Sequence, residues 1–438
     1  MELQQLHELY SQSYKVTTDS RNISKGCLYF ALKGEKFDGN EFAKQALETG
    51  ASFAIVDNKE YYLDDRTILV GNVLETLQNL ANYHRKQLHI PVIGITGTNG
   101  KTTTKELMNA VLSSKFKVLA TKGNLNNHIG VPLTLLSITP EIEIAIIEMG
   151  ANHPNEIDFL CRIAEPDHAV ITNVGKAHLE GFGGFEGVIR TKKELYDDVV
   201  RKNGVVFINS DDALLSNMLS LASETNPSVK KISYGFDSGK LIRGTIVSND
   251  PFVSVAITDQ RNRKKEVVNS QLVGEYNAEN IVTAVCTGVY FGVSLTEIAS
   301  AILNYQPANN RSQLIITEKN KVILDCYNAN PSSTLASLNN FKKMKGEHKT
   351  VILGDMLELG EEAEVEHSQI IHYLKKMSSV DVLLVGEWYQ KLSENFSATA
   401  FISVDELKSW LRVHPINNNL LLVKGSRGIQ LEKIIENL

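Results

Sequence analysis

The residues Thr96-Gly97-Thr98-Asn99-Gly100-Lys101-Thr102 bring together the parts that hold a phosphate. Glycines let the backbone turn tightly and aim N–H groups inward, a helix start adds partial positive charge, and Lys101 brings a mobile cation. Thr102 offers its hydroxyl to Mg²⁺. The general phosphate-loop pattern has a further glycine five residues before Gly100, where this chain has Ile95; the tighter Thr-Gly-Thr-x-Gly-Lys-Thr form remains. Gly97, Thr98, Asn99, Gly100, Lys101, Thr102 and Thr103 are therefore the expected cradle for nucleotide phosphates.

Other chemistry-bearing residues recur after apolar runs. Glu148 follows Ile146-Ile147, and a carboxylate at the end of a buried strand can reach a Mg²⁺ held on phosphates. Asn173 and His178 follow the run 169–172 in a loop containing Gly175. Lys192 and Lys193 are expected to open a helix at residue 191, where two cations oppose the helix dipole. Such lysines are ordinarily solvated, and the position also suits a lysine in a neutral or negative modified form. Asn277 and Asn280 lie three apart, so at a helix start they face the same way; their amides suit an adenine edge, or Asn277 caps the helix. The segments Thr18-Asp19-Ser20-Arg21 and Phe37-Asp38-Gly39-Asn40 are polar and also have the composition of ordinary turns.

The elements that must position these groups alternate. Before residue 85, strands are predicted at 28–32 and 53–56 and helices at 41–48 and 73–86. The phosphate loop follows the β-branched run after Ile90 and opens a helix over 102–114. Strands at 117–120, 144–147, 169–172, 205–208 and 231–233, with helices between them (191–202 and 213–222 among them), predict a mostly parallel sheet covered on both faces. Ligands of such sheets sit at the carboxyl ends of strands. Three β segments follow (240–248, 251–258, 265–273), then an Ala- and Val-rich helix ending at Tyr290. Beyond the turn 307–310, strands (315–316, 322–324, 350–353, 382–385, 420–423) alternate again with helices (334–342, 363–376, 405–412, 431–437). This second open α/β unit carries Arg311, the block Asp325-Cys326-Tyr327-Asn328-Ala329-Asn330-Pro331 and the block Lys424-Gly425-Ser426-Arg427-Gly428.

The expected architecture is thus α/β in three domains. A small mixed α/β domain spans 1–87, a central P-loop-type domain with a mostly parallel sheet spans 88–310, and a Rossmann-like domain spans 311–438. Bulk properties agree. A chain of 438 residues exceeds one ordinary domain, and 42% hydrophobic with 22% charged residues is a soluble globular composition. The net charge of -6, from 45 basic and 51 acidic residues, argues against a nucleic-acid binder. Cys27, Cys161, Cys286 and Cys326 are widely spaced and read as reduced thiols of a cytoplasmic protein. Residues 1–14 lack the basic and apolar regions of a signal peptide, and no window nears about 18 consecutive apolar residues, so no membrane span is expected. A phosphate loop, a carboxylate and a histidine at neighbouring strand ends, and a further α/β domain suggest ATP plus a second substrate. Kinase, NTPase motor and ATP-dependent ligase all remain open on these grounds.

A resemblance narrows the choice. Thr18 to Arg21, Phe30-Ala31-Leu32-Lys33-Gly34 with Phe37-Asp38-Gly39, the phosphate loop, and Gly123-Asn124-Leu125-Asn126-Asn127-His128-Ile129-Gly130-Val131-Pro132 run in order through the first half. Glu148-Met149-Gly150-Ala151-Asn152, His178-Leu179-Glu180, Asp325 to Pro331, Gly354-Asp355-Met356-Leu357-Glu358-Leu359-Gly360 with His367, and Lys424 to Arg427 complete the set. Together they resemble the Mur ligases, the ATP-dependent amino-acid ligases of bacterial cell-wall precursor synthesis, in the branch that adds D-alanyl-D-alanine. The resemblance implies that ATP phosphorylates the terminal carboxylate of a UDP-MurNAc-tripeptide. The amine of D-alanyl-D-alanine then attacks the acyl phosphate and phosphate leaves.

The resemblance also implies roles. Lys101 would stabilise the transferring phosphoryl group, Thr102 and Glu148 would hold one Mg²⁺, and His178 would help hold a second. Lys192, in Lys192-Lys193-Glu194-Leu195, aligns with the family's carbamylated lysine, whose negative charge ligates or orients metal. Asn277 and Asn280 would meet adenine, and Arg311 and Asp325 would contact phosphates and ribose. Ser20, Arg21, Asp38, Gly39 and Asn40 would line the UDP-sugar end; Asn126, Asn127, Tyr327, Asn328 and Asn330 would also serve the substrates. Asn40 stands where the family commonly has His after Asp-Gly, and Tyr276 where His commonly precedes the adenine-side Asn. A cytoplasmic, monomeric enzyme is expected. The alternatives are a ligase of single amino acids, a folylpolyglutamate synthase, or a nucleotide-binding regulator without the chemistry. The joint presence of Lys101, Thr102, Glu148, His178 and Lys192 weighs against the last.

Overall fold

Apolar runs rich in β-branched residues form the strands of three sheets, and period-2 alternation sends their side chains to opposite faces. The computed structural model describes residues 2–307, 310–393 and 398–438. Met1 of the N-terminal segment, and Ala308 and Asn309 of the turn expected at the second domain boundary, lie outside the described residues.

The first sheet is parallel, in the order Val16–Thr17, Leu28–Phe30, Phe53–Val56, Thr67–Leu69. Leu28, Phe30 and Ile55 share a core with the helices Leu3–Tyr10 and Val73–Gln87, whereas Cys27, Tyr29, Ala31 and Ala54 pack on the other face. The loop predicted around Phe37 to Asn40 includes a small hairpin, Lys33–Gly34 against Phe37–Asp38.

The central sheet has nine strands. From Val118–Ala120 it runs through Ile144–Glu148, Val92–Thr96, His168–Ile171, Val205–Asn209 and Lys230–Gly235 to Ile242–Ser248, each pair parallel. Phe252–Asp259 and Lys265–Val273 extend the same sheet antiparallel. Val92, Ala145, Ile147, Ala169 and Ile171 face a core shared with the helices Glu156–Ala164 and Phe185–Arg201. Ile93, Ile95, Ile144, Ile146 and Val170 face the helices Lys101–Ser113, Asn277–Tyr290 and Leu295–Asn304. The phosphate-loop strand is flanked by the strand ending in Glu148 and the strand leading to Asn173 and His178. Three sets of polar groups therefore meet at one carboxyl edge.

The C-terminal sheet has the order Gln313–Ile316, Lys321–Asp325, Leu420–Lys424, Lys349–Gly354, Asp381–Val385, Thr399–Phe401, with only its first strand antiparallel. Its last segment, Leu431–Asn437, is a 3-10 helix rather than the α-helix expected at 431–437.

One helix differs in a way that matters. The helix expected to start at residue 191 starts at Phe185, so Lys192 and Lys193 lie in its middle and do not oppose the dipole of its first turn. The glycines misled the reading. Gly183 and Gly184 adopt positive φ and end the turn Leu179–Phe182, but Gly187 belongs to the helix. A Cβ at Gly187 would sit 1.8 Å from the Phe182 carbonyl oxygen, so glycine there allows close approach rather than a break.

His84 and His168 are buried in neutral form. His84 donates from Nε2 to the Ile138 carbonyl (2.9 Å), which leaves Nδ1 to accept from His7 Nε2 at 3.1 Å. His168 packs on Phe207, Tyr290 and Phe291. Burial pushes both imidazoles down to about 4. Depressed pKa values mean that the unfolded chain, near 6.5, takes up protons first. Their contribution to stability is complete above 6.5 and is lost as pH falls toward 4. Urea midpoints are expected to decline across that window, and His84→Gln should decline less; parallel declines in the two proteins would exclude His84 as a source.

Candidate active site

The phosphate loop leaves its strand through Gly97 (φ +141°) and enters the helix Lys101–Ser113 through Gly100 (φ +78°). A Cβ on Gly97 would lie 2.0 Å from Thr172 Oγ1, and one on Gly100 would lie 2.6 Å from Asn280 Oδ1. Neighbouring strand ends hold the loop. Thr98 N and Asn99 N donate to the backbone and side-chain oxygens of Asn173 (both 2.9 Å). Thr172 Oγ1 donates to the Asn99 carbonyl (2.6 Å), and Gly175 N donates to Thr98 Oγ1 (2.9 Å). The first turn of the helix keeps free N–H groups and the positive end of its dipole.

Lys101 folds over this loop, donating to the carbonyls of Gly97 (2.7 Å) and Thr98 (3.1 Å). Burial pushes its ammonium down to about 8; Glu148 opposes the shift and Arg311 adds to it. Glu148 Oε1 accepts from Thr102 Oγ1 (3.2 Å) and Asn126 Nδ2 (2.9 Å). Glu148 Oε2 is buried without a hydrogen bond. A threonine hydroxyl beside a carboxylate oxygen with unused lone pairs, next to a phosphate loop, is a donor set that suits Mg²⁺.

These groups line a cavity of about 520 Å³ between the central and C-terminal sheets. Thr98 to Thr103, Asn126, Asn127, Glu148, His178, Asn277, Asn280, Arg311, Asp325, Tyr327 and Asn328 all contribute to its wall. Arg311 stacks its guanidinium 3.6 Å above the Tyr327 ring, and its buried Nε has no hydrogen-bond partner among the described residues. Asp325 accepts from Lys424 Nζ (2.7 Å) and Ser337 Oγ (3.3 Å). His178, with positive φ, pairs through Nδ1 with Glu358 Oε2 of the C-terminal domain at 2.5 Å, which holds the Glu358 carboxyl below its usual range.

Several expected contacts are already engaged within the protein. Asn280 Nδ2 donates to Asn277 Oδ1 (2.8 Å), Asn277 Nδ2 to the Val273 carbonyl (2.8 Å), and Asn280 Oδ1 accepts from Thr104 (3.0 Å). Asn127 Oδ1 caps the helix at Gly130 (2.9 Å). Asn330 caps its own helix and donates to Asn99 Oδ1 (2.8 Å), tying the C-terminal domain to the phosphate loop.

Lys192 is not part of the cavity wall. It is 3% exposed, lies 5.5 Å from the Phe182 ring and makes no hydrogen bond or ion pair among the described residues. Burial, then the charge of Lys101, push its amine down to about 7. An amine that is substantially neutral at neutral pH is the form that adds CO₂.

Ser20, Arg21, Asp38, Gly39 and Asn40 lie outside this cavity. The exposed Arg21 pairs with Asp19 at 2.9 Å. Asn40 is buried, donating to Asp38 (2.6 Å) and Asp57 (2.9 Å) and accepting from Asp57 N (3.1 Å). Sequence reasoning passed over Lys424 as a single residue, although its block was noted, and it gave no role to Lys105. Nor did it pair Lys176 with Glu366, 2.7 Å apart across the domains.

Residues 13–96 match the description "Mur ligase family, catalytic domain", residues 95–288 the Mur ligase middle domain, and residues 310–427 "Mur ligase, glutamate ligase domain". The UDP-N-acetylmuramoyl-tripeptide–D-alanyl-D-alanine ligase of Bacillus subtilis is 33% identical over 97% of this chain and 92% of its own. That of Escherichia coli is 34% identical over 97% and 93%. A crystal structure of MurF from Acinetobacter baumannii superposes with a TM-score of 0.87 at 31% identity, covering 100% of this chain and 98% of that one. MurF from Thermotoga maritima in complex with ADP gives 0.81 at 26% identity, covering 97% and 96%. On its three domains and its near-complete alignment with these proteins, the chain belongs to the Mur ligase family.

Proposed function

We propose that the protein is the ATP-dependent, ADP-forming ligase that joins D-alanyl-D-alanine to UDP-MurNAc-tripeptide, yielding the pentapeptide precursor of peptidoglycan. The observation that carries this reading is the single cavity in which the phosphate loop, Glu148, His178, Arg311 and Asp325 face one another. It has a cradle for a triphosphate on one side and a second domain's polar strand ends on the other. We take a monomer as the working unit. A nucleotide-linked substrate and ATP place the reaction in the cytoplasm.

A carboxylate is a poor electrophile, and phosphorylation gives it a leaving group. Lys101 and the helix N-terminus at Thr102 and Thr103 neutralise charge on the transferring phosphoryl group. Thr102 and Glu148 would hold Mg²⁺, and His178 with a carbamylated Lys192 would serve a second metal site. Bound metal supplies charge neutralisation on the phosphoryl oxygens. The uncompensated Glu148 oxygen and the lowered Lys192 amine support these assignments. A carbamate on Lys192 would exchange a buried, unpaired cation for an anion close to the charge of Lys101.

Arg311 and Asp325, beside the half-buried Tyr327, hold the nucleotide's phosphates and ribose from the C-terminal side. Asn277 and Asn280 border the adenine, and their internal bonds fix them as a rigid wall. Asn126 orients Glu148, while Asn127, Tyr327, Asn328 and Asn330 border the substrates in the cleft. Ser20, Arg21, Asp38 and Gly39 meet the UDP-sugar end on the N-terminal domain. Asn40 shapes that turn through Asp38 and Asp57.

Phosphate release from ATP with UDP-MurNAc-tripeptide is expected to be strong only when D-alanyl-D-alanine is added. Turnover with free amino acids and none with the dipeptide would refute the assignment. Lys192→Ala should lose most of this turnover, by about 10- to 100-fold if it removes a metal-orienting group, and added bicarbonate should not restore it. A fully active variant would remove Lys192 from the site.

A further inference from the structure

Lys105 stands one turn beyond Lys101 on the phosphate-loop helix, and none of its side chain is exposed. An ammonium cut off from water needs anions or carbonyl oxygens around it. Its Nζ has the Thr121 carbonyl at 2.5 Å, Glu106 Oε1 at 2.9 Å and Glu148 Oε2 at 3.7 Å. Thr121 closes the cluster, because its hydroxyl accepts the Glu148 backbone N–H at 2.9 Å. Glu148 lines the cavity and Lys105 does not, so the lysine backs the carboxylate from within the fold. This is the one ion pair that Glu148 makes among the described residues.

The distances carry a division of labour. At 3.7 Å the ammonium is too far to hydrogen-bond Oε2, so that oxygen's lone pairs stay available. Coulomb attraction falls only inversely with distance, so the same ammonium still holds the carboxylate's orientation. Oε1 is fixed separately by Thr102 and Asn126. The Lys105 charge is itself matched by Glu106, which limits its repulsion of a cation beyond Glu148.

We propose that Lys105 is a positioning residue for the metal-binding carboxylate, an enclosed cation that fixes Glu148 without occupying the oxygen Mg²⁺ requires. This rests on reading Glu148 as a Mg²⁺ ligand. The test is calorimetric titration of the full-length protein with ADP, in EDTA and at a series of Mg²⁺ concentrations. In Lys105→Met, the Mg²⁺ concentration for half-maximal enhancement of ADP binding should rise about tenfold, the scale seen when an outer partner of a metal ligand is removed. ADP affinity in EDTA should not change, and Lys105→Arg should recover most of the metal dependence. A lysine with only a structural role would lower thermal stability and leave the metal titration where it was. If Lys105→Met does not fold, Lys105→Gln, which keeps a donor for the Thr121 carbonyl, goes through the same titration. An unchanged Mg²⁺ midpoint in a folded uncharged variant overturns the proposal. A wild-type protein whose ADP binding ignores Mg²⁺ overturns the metal reading of Glu148 and the proposal together.

Discussion

The phosphate loop is gripped by the end of the strand beside it. Asn173 takes the N–H groups of Thr98 and Asn99, Thr172 holds the Asn99 carbonyl, and Gly175 holds the Thr98 hydroxyl. That grip turns two N–H groups toward the protein and reserves those at the helix start for a ligand. It also dictates side-chain size. Thr172 comes so close that residue 97 has no room for a Cβ, and Asn280 imposes the same limit on residue 100. The order of the central sheet makes this possible, since the strand His168–Ile171 and the strand ending in Glu148 are the two neighbours of Val92–Thr96. One parallel register thus sets the loop, its carboxylate and its anchor at a common height.

Burial and charge then work against each other. Lys101 and Lys192 are withdrawn from water, and both amines are pushed down, to about 8 and about 7. Each responds also to a nearby cation, Lys101 to Arg311 and Lys192 to Lys101. Glu148 is the anion that draws Lys101 the other way. An anion bound beside Lys101 relieves part of the cost that its buried ammonium carries in the folded protein. Binding of that kind stabilises the folded state by mass action.

Much of this was legible because it depends on local chemistry. The spacing of Gly97, Gly100, Lys101 and Thr102 states a phosphate loop, and the apolar runs around it state a parallel sheet. What escaped depended on distance through space. Lys105 reads as one more lysine on a helix, and only the fold shows that its face of the helix is sealed by Thr121 and Glu148. Lys192 was singled out on bare spacing for the wrong physical reason, as a cation opposing the dipole of a helix start at residue 191, whereas the helix starts at Phe185. Its true peculiarity, burial without an ionic partner in mid-helix, follows from side chains distant in sequence. The amides behaved similarly. Asn126 looks like a substrate contact, yet its nearest partner is the Glu148 carboxylate. The amides of Asn277 and Asn280 bond first to each other and to the loop helix.

The C-terminal domain touches the phosphate loop itself and the residues that directly follow those gripping it. Asn330 reaches Asn99, Ser332 Oγ accepts from Lys176 N at 3.2 Å, Lys176 pairs with Glu366, and His178 pairs with Glu358. These contacts differ in weight. The Glu366 side chain is 2% exposed whereas Lys176 is 46% exposed, so removal of Lys176 leaves a buried carboxylate unpaired, and removal of Glu366 leaves a lysine that water can still reach. The Glu358 side chain is more than half exposed, so its pair with His178 is the weaker of the two and the one more open to exchange. The stronger pair therefore fixes where the C-terminal domain docks. The weaker one engages His178, the histidine proposed above for a metal site. Asn330 and Ser332 also belong to the cap and first turn of the helix Pro331–Lys343, so this helix start is bonded both to the phosphate loop and to the segment after Thr172. Docking and the geometry of the phosphate cradle are in this way set by one contiguous group of hydrogen bonds.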